Sequence, residues 1–185
     1  GSNATIGHGL GTAPAMVIVK GITTENNWRV GHDGLTSWTY RINLESTAAE
    51  SSQASVWNST APTSSVFSIG TSSSVNDSGV EHIAYCFAPK KGFFYVGEYE
   101  GNASNEGPFC WTGFKPAMVM IKNRGATGNW TIADNKRSSS GGTNVLDERL
   151  FPSDPQAAST GFANIDTYSN GFKVRQGSDG GVNSS

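Results

Sequence analysis

The chain has 185 residues, 13 basic and 15 acidic, and a formal net charge of −2. That length holds one ordinary domain or two small ones, and the mildly acidic balance excludes the basic surface that nucleic-acid binding needs. Ser, Thr, Asn and Gly make up 78 residues, yet five Trp, nine Phe and five Tyr supply the apolar area that a disordered chain lacks.

In chain order, Gly7-His8-Gly9-Leu10-Gly11 reads as a turn ahead of a strand; no helix N-terminus follows it, so it does not cradle phosphate. Residues 16–20 form a short apolar run after Pro14, which predicts a buried strand. Residues 28–31 alternate, and residues 66–69 place Phe67 and Ile69 on one face. Residues 47–55, with an Ala-Ala-Glu centre, are the best helix candidate. Residues 81–88 and 93–99 alternate on either side of Pro89-Lys-Lys-Gly92, a hairpin composition. No apolar run reaches the ~18 residues that span a bilayer, so membrane insertion is not expected.

Internal repetition is the strongest signal. Ala13-Pro-Ala-Met-Val-Ile-Val-Lys20 recurs as Lys115-Pro-Ala-Met-Val-Met-Ile-Lys122. The same offset pairs Trp28 with Trp130 and Leu44 with Leu146; the offset then grows in two small steps, pairing first Phe67 with Phe172 and then Val75 with Val182. The expectation is an all-β chain of two tandem, similar β-units with antiparallel sandwich or jelly-roll-like sheets and very little helix. The first unit is residues 1–88, a linking hairpin and loop follow over 89–108, and the second unit is residues 109–185. Residues 155–159 are a shorter helix candidate there. The second unit stops where the counterpart of residues 83–87 is due, so it is expected to lack its last strand and to leave an open sheet edge for a neighbouring chain.

Chemical motifs are thin. Cys86 and Cys110 have no partners at metal-ligand spacing, and nothing favours a disulfide between them. Cys86, on the face of His82 and Ala84, reads as a small buried hydrophobe. His32 and Asp33 point to opposite faces of a strand, and no serine sits in a nucleophile-elbow context. Asp33, Glu45, Glu98, Glu100, Asp134, Asp147, Glu148 and Asp166 are the carboxylates that glycan cleavage would draw on, with Asp134 read as an ion pair to Lys136 or Arg137. No catalytic residue, metal or cofactor is assigned, and the chain is not expected to be an enzyme. Trp28 and Trp130 match across the repeat and are expected in the cores. Trp38, Trp57 and Trp111 are unmatched, and with Tyr40 they are the candidates for stacking against sugar rings. The contrast is sharpest between residues 36–40, which carry Trp38 and Tyr40, and residues 138–142, which carry only Ser and Gly.

Gly9-Leu-Gly-Thr-Ala-Pro-Ala-Met-Val-Ile-Val-Lys20, Trp57-Asn-Ser-Thr-Ala-Pro62 and Gly79-Val-Glu-His-Ile-Ala-Tyr-Cys-Phe-Ala88 resemble a domain found in tail-fibre-like proteins of marine bacteriophages and prophages. Thr112-Gly-Phe-Lys-Pro-Ala117, Trp130-Thr-Ile-Ala-Asp134 and Ser169-Asn-Gly-Phe172 extend the likeness through the second unit. The resemblance implies a virion location, in a tail or fibre assembled in the bacterial host cytoplasm, and transfers no catalytic residues. The function expected is attachment to the host cell surface by binding surface glycans. The alternatives are a purely structural virion protein (shaft, adaptor or capsid fibre) and a glycan depolymerase. The partners expected are other virion structural proteins, further copies of the chain in a homo-oligomer (a trimer if a fibre), and a host surface glycan or receptor.

Overall fold

The computed structural model describes residues 1–137, 144–177 and 179–184, and all of their side chains except those of 161–164. It is an all-β, sandwich-like protein of antiparallel strands. It divides into two compact units, residues 1–90 with 94–97, and residues 91–93 with 98–185.

In the first unit, β1 (Ala4–Gly7) pairs with β6 (Val66–Ile69). A five-stranded sheet has the order β5-β4-β3-β2-β7, from Ser51–Ser52, Tyr40–Asn43, Arg29–His32, Met16–Gly21 and His82–Phe87. Alternation explains which side chains meet. Val17 and Val19 on β2 and Cys86 on β7 face Phe67 and Ile69 of β6. Two one-turn helices, α1 (Ala54–Trp57) and α2 (Ser73–Asn76), add Val56, Trp57 and Val75 to the same core. Gly31 on β3 makes room for the indoles: a Cβ there would stand 2.4 Å from the Trp38 ring and 2.9 Å from that of Trp57.

In the second unit one sheet runs β8-β13-β12-β11-β10-β9, from Phe109–Trp111, Gly171–Val174, Ser159–Tyr168, Val145–Leu150, Thr131–Asp134 and Met118–Ile121. Its inner face carries Phe172, Val174, Ile165, Leu146, Ala133, Val119 and Ile121, with Val182 closing the core. The first unit's ladders come in a matching order, with one difference at each end. A long β12 joins β11 to β13, whereas the first unit has the two-residue β5 and then α1. And β9 is an outer strand, whereas β2 is covered by β7. Among the described residues no strand pairs with the free edge of β9.

Several expectations are corrected. The helix sits at Ala54–Trp57, later than residues 47–55, because Ser51 and Ser52 extend to pair with Arg41 and Tyr40. Residues 155–158 form no helix, and Ser159 opens β12. Residues 93–99 form no strand; the hairpin reduces to one bridge between Lys90 and Phe94. Residues 98–106, expected within the linker, bond into the second unit: Asn102 N–H donates to Asn183 Oδ1, and Lys173 Nζ to Glu106. Trp130 is buried as expected, but Trp28 is only half-buried and stacks on Tyr85.

Candidate functional site

The expected sugar-stacking residues separate. Trp38 is 8 % exposed and Trp57 0 %; they meet edge to face in the core of the first unit, with centroids 5.7 Å apart. Trp38 Nε1–H donates to Asp33 at 2.9 Å. A ring so enclosed has no face to offer a sugar, so both are corrected to core residues. Tyr40 is half-buried at the start of β4, opposite Ser52. The contrasting segment at 138–142 lies outside the described residues. Trp111 alone stands out in the open, 60 % exposed.

Trp111 has company on the outer face of its sheet. Alternation sends Cys110 to the core and turns Phe109 and Trp111 outward. In the next strand Gly171 lies opposite Trp111, and in the strand beyond Tyr168 lies opposite Gly171. Gly171 has no side chain to part the rings. A Cβ there would sit 2.7 Å from the Phe109 ring and 2.2 Å from the Cys110 carbonyl oxygen. Phe109 and Tyr168 therefore meet edge to face, centroids 5.8 Å apart. The result is an exposed shelf of three aromatic rings, Phe109, Trp111 and Tyr168.

A charged row borders the shelf. Lys173 pairs in register with Phe109 on one side and Asp166 on the other. Lys173 Nζ lies 2.6 Å from Glu106, Arg175 3.0 Å from Glu106 and 3.6 Å from Asp166. The hydrogen bond from Lys173, helped by the charges of Arg175 and Lys173, holds the Glu106 carboxyl below its ordinary value. Aromatic faces beside hydrogen-bonding groups suit a pyranose, with its apolar face and rim of hydroxyls. Phe109 and Tyr168 were not singled out from sequence. The alternation of Phe109-Cys110-Trp111 was the available signal for the first; Tyr168 needed the register.

Four of the carboxylates weighed for cleavage are engaged elsewhere. Asp33 serves Trp38, Glu45 accepts from Asn27 and from the Trp28 N–H, and Glu98 faces Arg124. Asp134 accepts from Arg137 and from the backbone N–H of Lys136 and Arg137. Burial opposes its ionisation, but these donors prevail and keep it below its ordinary value. A polar cleft of about 290 Å³ in the second unit has one carboxylate in its wall, Asp179, which is ion-paired to Arg149. Among the described residues no group of three or more His, Cys, Asp or Glu is placed to hold a metal ion. Cys86 and Cys110 are free thiols.

The chain belongs to the DUF7483 family, described as a domain of unknown function, whose model matches residues 1–185. No curated protein and no solved structure matches it.

Proposed function

We propose that this domain is part of a bacteriophage virion, in the tail or a tail fibre, and attaches to the host surface by binding glycans. The observation that carries the reading is the exposed shelf of Phe109, Trp111 and Tyr168 with its charged border. Its sequence resemblance to tail-fibre-like proteins supports the location. Binding is non-covalent: a sugar stacks on the indole of Trp111, and Lys173, Arg175 and Asp166 hydrogen-bond its hydroxyls. One stacking contact contributes on the order of 1 kcal/mol, so a single site is weak. Useful attachment comes from many copies held together in the particle, in keeping with a homo-oligomer and other virion proteins as partners.

The uncovered edge of β9, with Met118 exposed on it, favours a second reading, a structural virion protein that assembles through strand pairing. Glycan-array binding of the purified domain, displayed multivalently, separates the two. Binding lost in Trp111→Ala with an unchanged Tm supports attachment. No glycan bound by the unaltered domain, together with self-assembly blocked by Met118→Pro, which removes an N–H facing the free edge, supports the structural reading.

A further inference from the structure

One polar cluster occurs in both units, and its charges differ between them. Strand register gives the correspondence. Val30 pairs with Ile42 across β3 and β4, and Ile132, its match in the repeat, pairs with Leu150 across β10 and β11. Arg29 therefore corresponds to Thr131, and Arg41 to Arg149. Backbone bonds fix a third position. The N–H groups of Val75 and Asn76 donate to the Ser72 carbonyl oxygen, as those of Val182 and Asn183 donate to that of Asp179. Ser72 therefore corresponds to Asp179.

In the second unit Arg149 is ion-paired to Asp179, and the charge there is balanced. In the first unit a serine stands where that aspartate would be, and a second arginine replaces Thr131. Arg29 donates from Nε to Ser74 Oγ at 2.9 Å and from Nη1 to Asn43 Oδ1 at 2.8 Å. Arg41 donates from Nε to Gln53 Oε1 at 3.0 Å and from Nη1 to the same Asn43 oxygen at 3.4 Å. Two guanidiniums thus converge on one neutral amide. Burial and then the charge of Arg41 push Arg29 below its ordinary value, against the opposing charge of Glu45. That carboxylate already accepts from Asn27 Nδ2 and from the Trp28 N–H. Among the described residues no carboxylate lies within ion-pair distance of either arginine. Neither Nη2 has a hydrogen-bond partner among them, and neither is closed to water. Like charges held together in a part-buried place are costly, and an oxyanion accepting from both planar forks removes that cost.

We propose that Arg29 and Arg41 form a binding site in the first unit for one small oxyanion, a carboxylate, phosphate or sulfate group, held by their Nη2 donors. The site is separate from the aromatic shelf and does not depend on that shelf's binding a glycan. The oxyanion is either the acidic substituent of a sugar or a free inorganic ion.

The test is NMR titration of the full chain at constant ionic strength, followed on the Nε–H resonances of Arg29 and Arg41. The probes are inorganic phosphate, methyl glucuronide and, as a neutral control, methyl glucoside. Saturable shifts of both resonances with at least one of the two anions, and none with methyl glucoside, are expected. Ser72→Asp installs the carboxylate that the second unit uses, at a turn-opening position that favours Asp. Arg41→Gln removes one fork and is read on Arg29. Each is expected to weaken anion binding at least about tenfold. Absence of saturable shifts with both anions, equal shifts with methyl glucoside, or full binding retained in either folded variant overturns the proposal. Tighter binding of methyl glucuronide than of phosphate assigns the site to an acidic sugar. Equal or tighter binding of phosphate assigns it to a free inorganic ion.

Discussion

Replacing Trp57 by Ala removes the largest fully buried side chain of the first unit, one that packs on Trp38 and over Gly31. Large-to-small changes of this kind cost about 3–5 kcal/mol, including about 0.5–1.5 kcal/mol for the edge-to-face indole pair. Against this, the Trp57 indole N–H is buried without a hydrogen-bond partner among the described residues, and deleting an unsatisfied donor returns part of the loss. Trp57→Phe keeps an aromatic ring and discards that donor, so it is expected to cost much less than Trp57→Ala. Urea denaturation followed by far-UV circular dichroism measures the difference without relying on indole fluorescence. With a slope of roughly 1–3 kcal/mol per molar urea, Trp57→Ala should lower the first unit's midpoint by about 2 M or leave that unit unfolded. A midpoint unchanged in Trp57→Ala would refute the placement of Trp57 in the core and restore it as a candidate sugar contact.

Gly171→Ala places a Cβ 2.2 Å from the Cys110 carbonyl oxygen; it should destabilise by about 1–3 kcal/mol through overpacking and loosen β8, as read by amide hydrogen exchange at Phe109–Trp111. Burial pushes the Cys110 thiol up to about 12, so at pH 8 iodoacetamide should alkylate it about a thousandfold more slowly than a free thiol, since the thiolate is the nucleophile. Glu106 titrates below its ordinary value in the folded state because of Lys173 and Arg175. Its contribution to stability is therefore present above the unfolded-state pKa and is lost as pH falls through the lowered folded-state one. An NMR titration should place its midpoint below that of a free glutamate, and Lys173→Met together with Arg175→Met should return it to the ordinary value.

Much of the fold is legible in the sequence because alternation and the internal repeat reflect the same physical demand, one apolar face per strand. Residues 16–20, 66–69 and 81–88 carry that pattern, and each contains the corresponding strand to within a residue or two at its ends. The tryptophans were harder to place. Lack of a match in the other unit suggested that Trp38 and Trp57 were surface residues, but the first unit has a two-residue β5 and a helical turn where the second has the long β12. The first core is closed there by Trp57 from α1 and by Trp38 against it, so these positions are unmatched for a packing reason. The aromatic shelf was half legible. Trp111 was visible as an unmatched aromatic, whereas Tyr168 joins it only through the pairing of Gly171 with residues distant in the chain, which no local pattern records. The failure of residues 93–99 to form a strand shows that alternation without a partner edge does not suffice.

The most direct test of the account is to locate a bound sugar. An oligosaccharide selected on the array is titrated into the isotopically labelled domain, with the Trp111 indole N–H and the aromatic resonances of Phe109 and Tyr168 followed by NMR. The account predicts shifts concentrated on those three rings and on Lys173, Asp166 and Arg175, with saturation transferred from the rings to the sugar's C–H face. Shifts confined to other surfaces while the shelf stays silent would contradict it.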